Sequence, residues 1–129
     1  MFEALTVNVN WLAVIVGAVV AYALGALWYS QAMFGTVWMK GVGLSEKDAK
    51  GSMAMPMIAQ AVGTFGLAWA IGITETTNAL GLAILIALTI AVLIKANGLF
   101  AHKSRAAIAV ESGFVIAMAV VMILAQAIF

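Results

Sequence analysis

The chain has 129 residues, 66% of them hydrophobic and only 9% charged, with a mean hydropathy of +1.17. A soluble domain carries about 25% charged residues, so a soluble globule of this size could not cover its surface, and a membrane protein is expected. The net charge of +1 leaves no basic patch for nucleic acid, and the absence of cysteine excludes disulfides, thiolate metal sites and a cysteine nucleophile.

Met1 to Val9 is a short tail whose only charged side chain is Glu3. The first apolar run follows over residues 10–30, with no charge and no proline between Trp11 and Tyr29. Nineteen helical residues at about 1.5 Å each span roughly 28 Å, close to the hydrocarbon thickness of a bilayer. Trp11 marks one end and Trp28 and Tyr29 the other, where amphipathic rings sit at headgroup level. Asn10 is placed to cap the helix. No positive segment precedes this run, and it exceeds the roughly 7–15 apolar residues of a signal peptide, so it is expected to be retained. Ala13, Gly17, Ala21 and Gly25 recur every four residues and make a small-residue face suited to close helix contact, within the chain or with another subunit.

Residues 31–53 leave the apolar phase. Met33, Phe34, Val37 and Trp38 share one face of a short helix expected to lie in the membrane interface. Ser45 with Asp48, behind Leu44, has the pattern of a helix start whose charges form a polar surface. The second apolar run, residues 54–73, holds Pro56 near its start, where a missing N–H does least harm, and a second small face of Ala59, Gly63, Gly66 and Ala70. Gln60 and Thr64 are its internal polar groups, and Trp69 marks its far interface. The stretch Thr74 to Asn78 is too short to leave the membrane surface, so the second and third runs form an antiparallel hairpin.

The third run spans residues 79–100, with Ala79, Ala83, Ala87 and Ala91 on one stripe and Lys95 near its end. The loop 101–104 follows, and the fourth run, 105–128, contains Glu111. Nothing resembles a linker or a second domain. The expected fold is all-α: a single membrane domain over 1–129, a four-transmembrane-helix bundle with a short interfacial helix between the first two spans. Lys40, Lys47 and Lys50 lie in the first loop and Lys103 and Arg105 at the third, while the termini and the middle turn carry no Lys or Arg. The positive-inside rule therefore puts loops 31–53 and 101–104 in the cytoplasm and both termini outside.

The sequences Asn-Trp-Leu-Ala-Val at 10–14, Gly-Ala-Leu-Trp-Tyr-Ser at 25–30, Phe-Gly at 34–35, Trp-Met at 38–39 and Gly-Leu-Ser-Glu at 43–46 resemble one family. It is domain-of-unknown-function family 1761, small multi-pass membrane proteins. The resemblance covers residues 8–50 and afterwards is one of hydropathy. Gln31, where the pattern has proline, and Glu111, where it has an uncharged residue, depart from it. The resemblance implies a bacterial four-helix protein of the cell (inner) membrane and implies no activity.

Catalytic constellations are missing from the sequence: one histidine, no metal-ligand spacing, no phosphate-cradling loop and no serine with a base near it, so no enzyme, cofactor or metal is expected. The chemistry that stands out is Glu111 with Lys95, since an ionisable group inside a span costs a few kcal/mol and is a functional candidate. Each lies eight residues from Lys103, which in an antiparallel hairpin gives them the same depth, roughly 8–12 Å inside the loop end. They are expected to pair across the hairpin, with Asn97, His102 and Ser112 available to complete a polar cluster. The bilayer is the first partner, and a homo-oligomer or a larger membrane complex the next. The function expected is that of a structural or interaction protein, an oligomer or small accessory subunit. The alternative is a small transporter or channel using Glu111 within the membrane.

Overall fold

The computed structural model describes residues 1–44 and 54–129. A single 3₁₀ turn at Glu3–Leu5 precedes α1 (Trp11–Trp28), α2 (Gly35–Val42), α3 (Ala54–Glu75), α4 (Leu80–Phe100) and α5 (Arg105–Ile128). Of these, α1, α3, α4 and α5 are long and apolar enough to cross a membrane. The helix start expected at Ser45 lies outside the described residues.

Local chemistry sets the ends. The Asn10 side chain accepts a hydrogen bond from the Ala13 N–H and opens α1, and Ser104 does the same for Ala107 at the start of α5. Three helices close with the same device, a left-handed residue that bends the chain back over the last carbonyls. At the end of α3, Asn78 (φ 53°) lets the Ala79 N–H reach the Thr74 carbonyl at 2.8 Å. At the end of α4, His102 (φ 58°) lets the Lys103 N–H reach Gly98 at 3.0 Å. At the end of α2, Gly43 (φ 78°) lets Leu44 reach Met39 at 2.9 Å. Backbone groups that could not find water in an apolar phase are thereby satisfied within the chain.

α5 is the centre of the bundle. It packs on α1, α4, α2 and α3, whereas α3 and α4, joined by the tight turn, touch each other little. Its buried face includes Phe114, Val115, Met118, Ala119 and Met122. The α1 face of Ala13, Gly17, Ala21 and Gly25 lies against it. A Cβ added to Gly17 would stand 3.3 Å from the Met122 Cα, and one on Gly25 would stand 3.0 Å from the Phe114 ring. This stripe is therefore taken up within the chain and is not a face left for another subunit. Outward side chains are apolar, as Leu12 (60% exposed), Leu85 (60%) and Val92 (63%) show.

The short helix α2 lies across the first turn of α5. The Ser104 N–H donates to the Gly41 carbonyl at 3.0 Å, and a Cβ on Gly41 would collide with Ser104 and Ala107. Met33, Phe34 and Val37 are exposed, but Trp38 turns partly inward and leaves the face it was expected to share with them. Its indole has a partner on α5.

The α1–α5 contact predicts a direct test. Ala21 is fully buried, so Ala21→Leu overpacks the seam and should cost about 1–3 kcal/mol of stability. Thermal unfolding in mild detergent measures it, and an unchanged midpoint would place this face elsewhere.

Candidate functional site

At the end of the bundle that carries the 31–53 and 101–104 loops, five aromatic rings gather. Trp28 lies 4.8 Å from Phe34 and 6.0 Å from Phe114 between ring centres, and Tyr29 meets Trp38 edge-on at 5.4 Å and Phe114 at 5.3 Å. The Trp28 indole donates to the Val110 carbonyl at 3.0 Å, which pins the end of α1 to α5. At the opposite end Trp11 packs on Trp69 at 5.5 Å, and the Trp69 indole donates to the Leu5 carbonyl at 2.6 Å. Aromatic side chains with one polar atom thus stand at both ends of the apolar spans, where such rings are favoured.

Glu111 lies two turns into α5, beneath the first cluster. Its carboxylate accepts two hydrogen bonds from the Lys103 ammonium, at 3.0 and 3.1 Å, and one from the Trp38 indole N–H at 3.0 Å. The Glu111 side chain is 17% exposed and that of Lys103 is 31% exposed. Lys103 therefore takes the place the sequence reading gave to Lys95, whose side chain is exposed on α4. The reason is helical phase. The buried positions of α4 are Ala83, Ala87, Ala91 and Gly98. A strict four-residue stripe advances about 40° around a 3.6-residue helix at each step, so by Lys95 it has rotated off the inner face, and the next inward position is three residues later. Lys103, by contrast, is held at the top of α5 by the turn that closes α4.

Of the other expected members of the cluster, Asn97 joins it and two do not. Ser112 donates to the Ile108 carbonyl of its own helix at 2.5 Å, and His102 serves as the left-handed turn residue. Sequence reasoning missed Trp38, Lys103, Tyr29 and Gln60. A usable signal for Lys103 was its position beside the Ser104 cap, which ties it by local bonding to the start of α5.

These groups surround a cavity of about 310 Å³, with Tyr29, Gln60, Asn97, Lys103 and Glu111 as its polar lining and Phe114 on its wall. A second cleft of about 430 Å³ opens between α3 and α4, floored by Val115 and Met118. The two share Gln60, Val115 and Met118, so one groove runs from the ion pair towards the middle of the bundle. Within it the Gln60 amide donates to the Thr64 hydroxyl at 3.0 Å. Among the described residues no three His, Cys, Asp or Glu side chains gather as a metal site requires.

Four spans of this length and apolarity, capped by aromatic rings and folded into one helical bundle, are the architecture of a small polytopic membrane protein. The chain belongs to the DUF1761 family, described as a protein of unknown function, whose pattern matches residues 12–126. No curated protein and no solved structure matches it.

The geometry predicts a particular pattern of substitutions. Lys103→Met leaves a carboxylate at membrane depth with a single indole donor, and should destabilise by about 1–3 kcal/mol, less than a fully buried pair because both groups are partly exposed. The double change Lys103→Met with Glu111→Leu should recover part of that loss, and Lys95→Met should be neutral. Thermal midpoints of these variants and of Glu111→Leu complete the double-mutant cycle, and a double variant worse than the sum of its parts would count against the pairing.

Proposed function

We propose that the protein is a structural or interaction protein of the membrane that assembles with a second copy of itself through the small-residue wall of α3. The observation that carries this reading is the openness of that wall. A Cβ added to Gly63 or Gly66 meets nothing within 4 Å, and Ala59 is exposed beside them. In lipid no hydrophobic force draws helices together, and faces of glycine and alanine associate because their backbones can approach closely. The corresponding stripe on α1 is filled by α5, which leaves the α3 stripe as the one still without a helix against it among the described residues. A glycine strip meeting its own copy across a twofold axis is self-complementary, which favours a homo-oligomer over a mixed contact.

Passage of a solute is supported less well. Beyond the groove, the inner face of α5 from Ala119 to Ala125 is apolar and packed, which favours holding over conduction. The reading includes an orientation. The basic loops, with Lys40, Lys103 and Arg105, face the cytoplasm of a bacterial cell whose inner membrane the four helices span.

Two measurements check these statements. In mild detergent the purified protein should run as an oligomer, and Gly63→Leu should reduce it to a monomer that keeps its helical content, since the new side chain meets no neighbour within the chain. A wild-type monomer, or a variant that keeps the oligomer, would remove the reading. Because the chain has no cysteine, Ser104→Cys provides a single label site. It should react with an impermeant maleimide only after the cells are opened, and labelling of intact cells would reverse the orientation.

A further inference from the structure

We propose that the cavity around Glu111 is a binding site for a small organic ammonium, and that the Lys103 side chain is a tethered occupant that such a ligand displaces. The inference does not depend on the oligomer proposed above; it rests on an asymmetry between the two members of the ion pair.

Glu111 is fixed. It sits within a 24-residue helix, its carboxylate held by Trp38 as well as Lys103, on a backbone that cannot swing it away. Without a cation it would be an uncompensated charge at membrane depth, which is costly. Lys103 is anchored only through its backbone, in the turn that follows α4, and its flexible four-carbon stem reaches down to the carboxylate. Its side chain is nearly twice as exposed as that of Glu111, 31% against 17%. Swung upwards, it would place its ammonium in water or among headgroups at little cost, as long cationic side chains commonly do. An anionic ligand would have to leave Glu111 unpaired. A cationic ligand exchanges one ammonium for another and leaves no charge stranded.

The surroundings suit the same chemistry. The cavity wall carries the Tyr29 and Phe114 rings, and aromatic faces attract organic cations. The Gln60 and Asn97 amides supply carbonyl oxygens able to accept from an ammonium. A volume of about 310 Å³ admits a small amine. The ligand class is therefore a primary alkylammonium, which could arrive as a free amine or as the ethanolamine headgroup of a lipid.

The test is titration of the purified protein with propylammonium chloride, with potassium chloride at matched ionic strength as the control, read by tryptophan fluorescence and thermal midpoint. The tethered ammonium competes with the ligand, so removing it raises the competent fraction, and Lys103→Ala should bind propylammonium at least about tenfold tighter than wild type. Its lowered midpoint should rise on adding the amine. Glu111→Gln should abolish the response. Should Lys103→Ala not fold, Lys103→Gln keeps most of the stem, loses the charge and gives the same reading. Equal binding by wild type and the folded Lys103 variant, binding that survives Glu111→Gln, or a destabilised Lys103 variant that no amine restores would each overturn the proposal. The last result would make the pair a structural clasp alone. Repeating the titration in nanodiscs identifies the source. A response present in phosphatidylglycerol and lost when phosphatidylethanolamine is added supports the site with the lipid headgroup as occupant. A response kept in both supports it with the free amine.

Discussion

The closeness of α1 to α5 is the contact on which the rest of the bundle depends. In an apolar solvent two helices gain nothing from hiding hydrophobic side chains, so their association rests on dispersion over a large and closely fitted area. Ala13, Gly17 and Ala21 let the α1 backbone come within van der Waals reach of Met122 and Ala125. Once the two helices are seated, the end of α1 stands beside the start of α5, and the Trp28 indole finds the Val110 carbonyl. That placement brings Tyr29 against Phe114 and sets the height at which α2 crosses Ser104. The environment of Glu111 is thus a consequence of glycines and alanines located up to several turns away.

The same contact accounts for the groove. α5 is shared among four neighbours, and the alanines of α4 face it, with Ala83, Ala87 and Ala91 all buried. α3 turns Leu67, Ala68, Ile71 and Gly72 inwards. Its small residues Ala59 and Gly63 border the cleft and offer nothing bulky to fill it. Where the Asn78 turn ties α3 to α4 the two helices must be adjacent. Further from that turn the space between them opens over Val115 and Met118.

Much of this was legible in the residues. The four spans follow from runs of apolar side chains long enough to cross a bilayer, and their observed ends differ from the expected ones by a residue or two because caps such as Asn10 and Ser104 act locally. The α1 stripe was legible as a contact face, but not its partner, because glycine spacing carries no information about what approaches it. The pairing of Glu111 was misplaced for two reasons. A stripe counted in fours drifts around the helix, and that drift carried Lys95 away from the interior. The true donors depend on geometry that hydropathy does not encode: a left-handed His102 that lifts Lys103 over α5, and a Trp38 that lies 73 residues from its acceptor in the chain.

The carboxylate itself shows why a charge can persist in so apolar a chain. Burying Glu111 alone would leave an uncompensated charge, whereas two donors and partial exposure offset much of that penalty. One donor comes from α2 and the other from the α4–α5 turn, so these two segments and α5 meet at a single polar point beside the Ser104–Gly41 bond. Apolar packing between helices is tolerant of sliding, but a three-way hydrogen-bonded junction is not. The Trp38 bond to Glu111 therefore joins the Ser104–Gly41 bond in setting the register of α2 on α5, in a way that no leucine could.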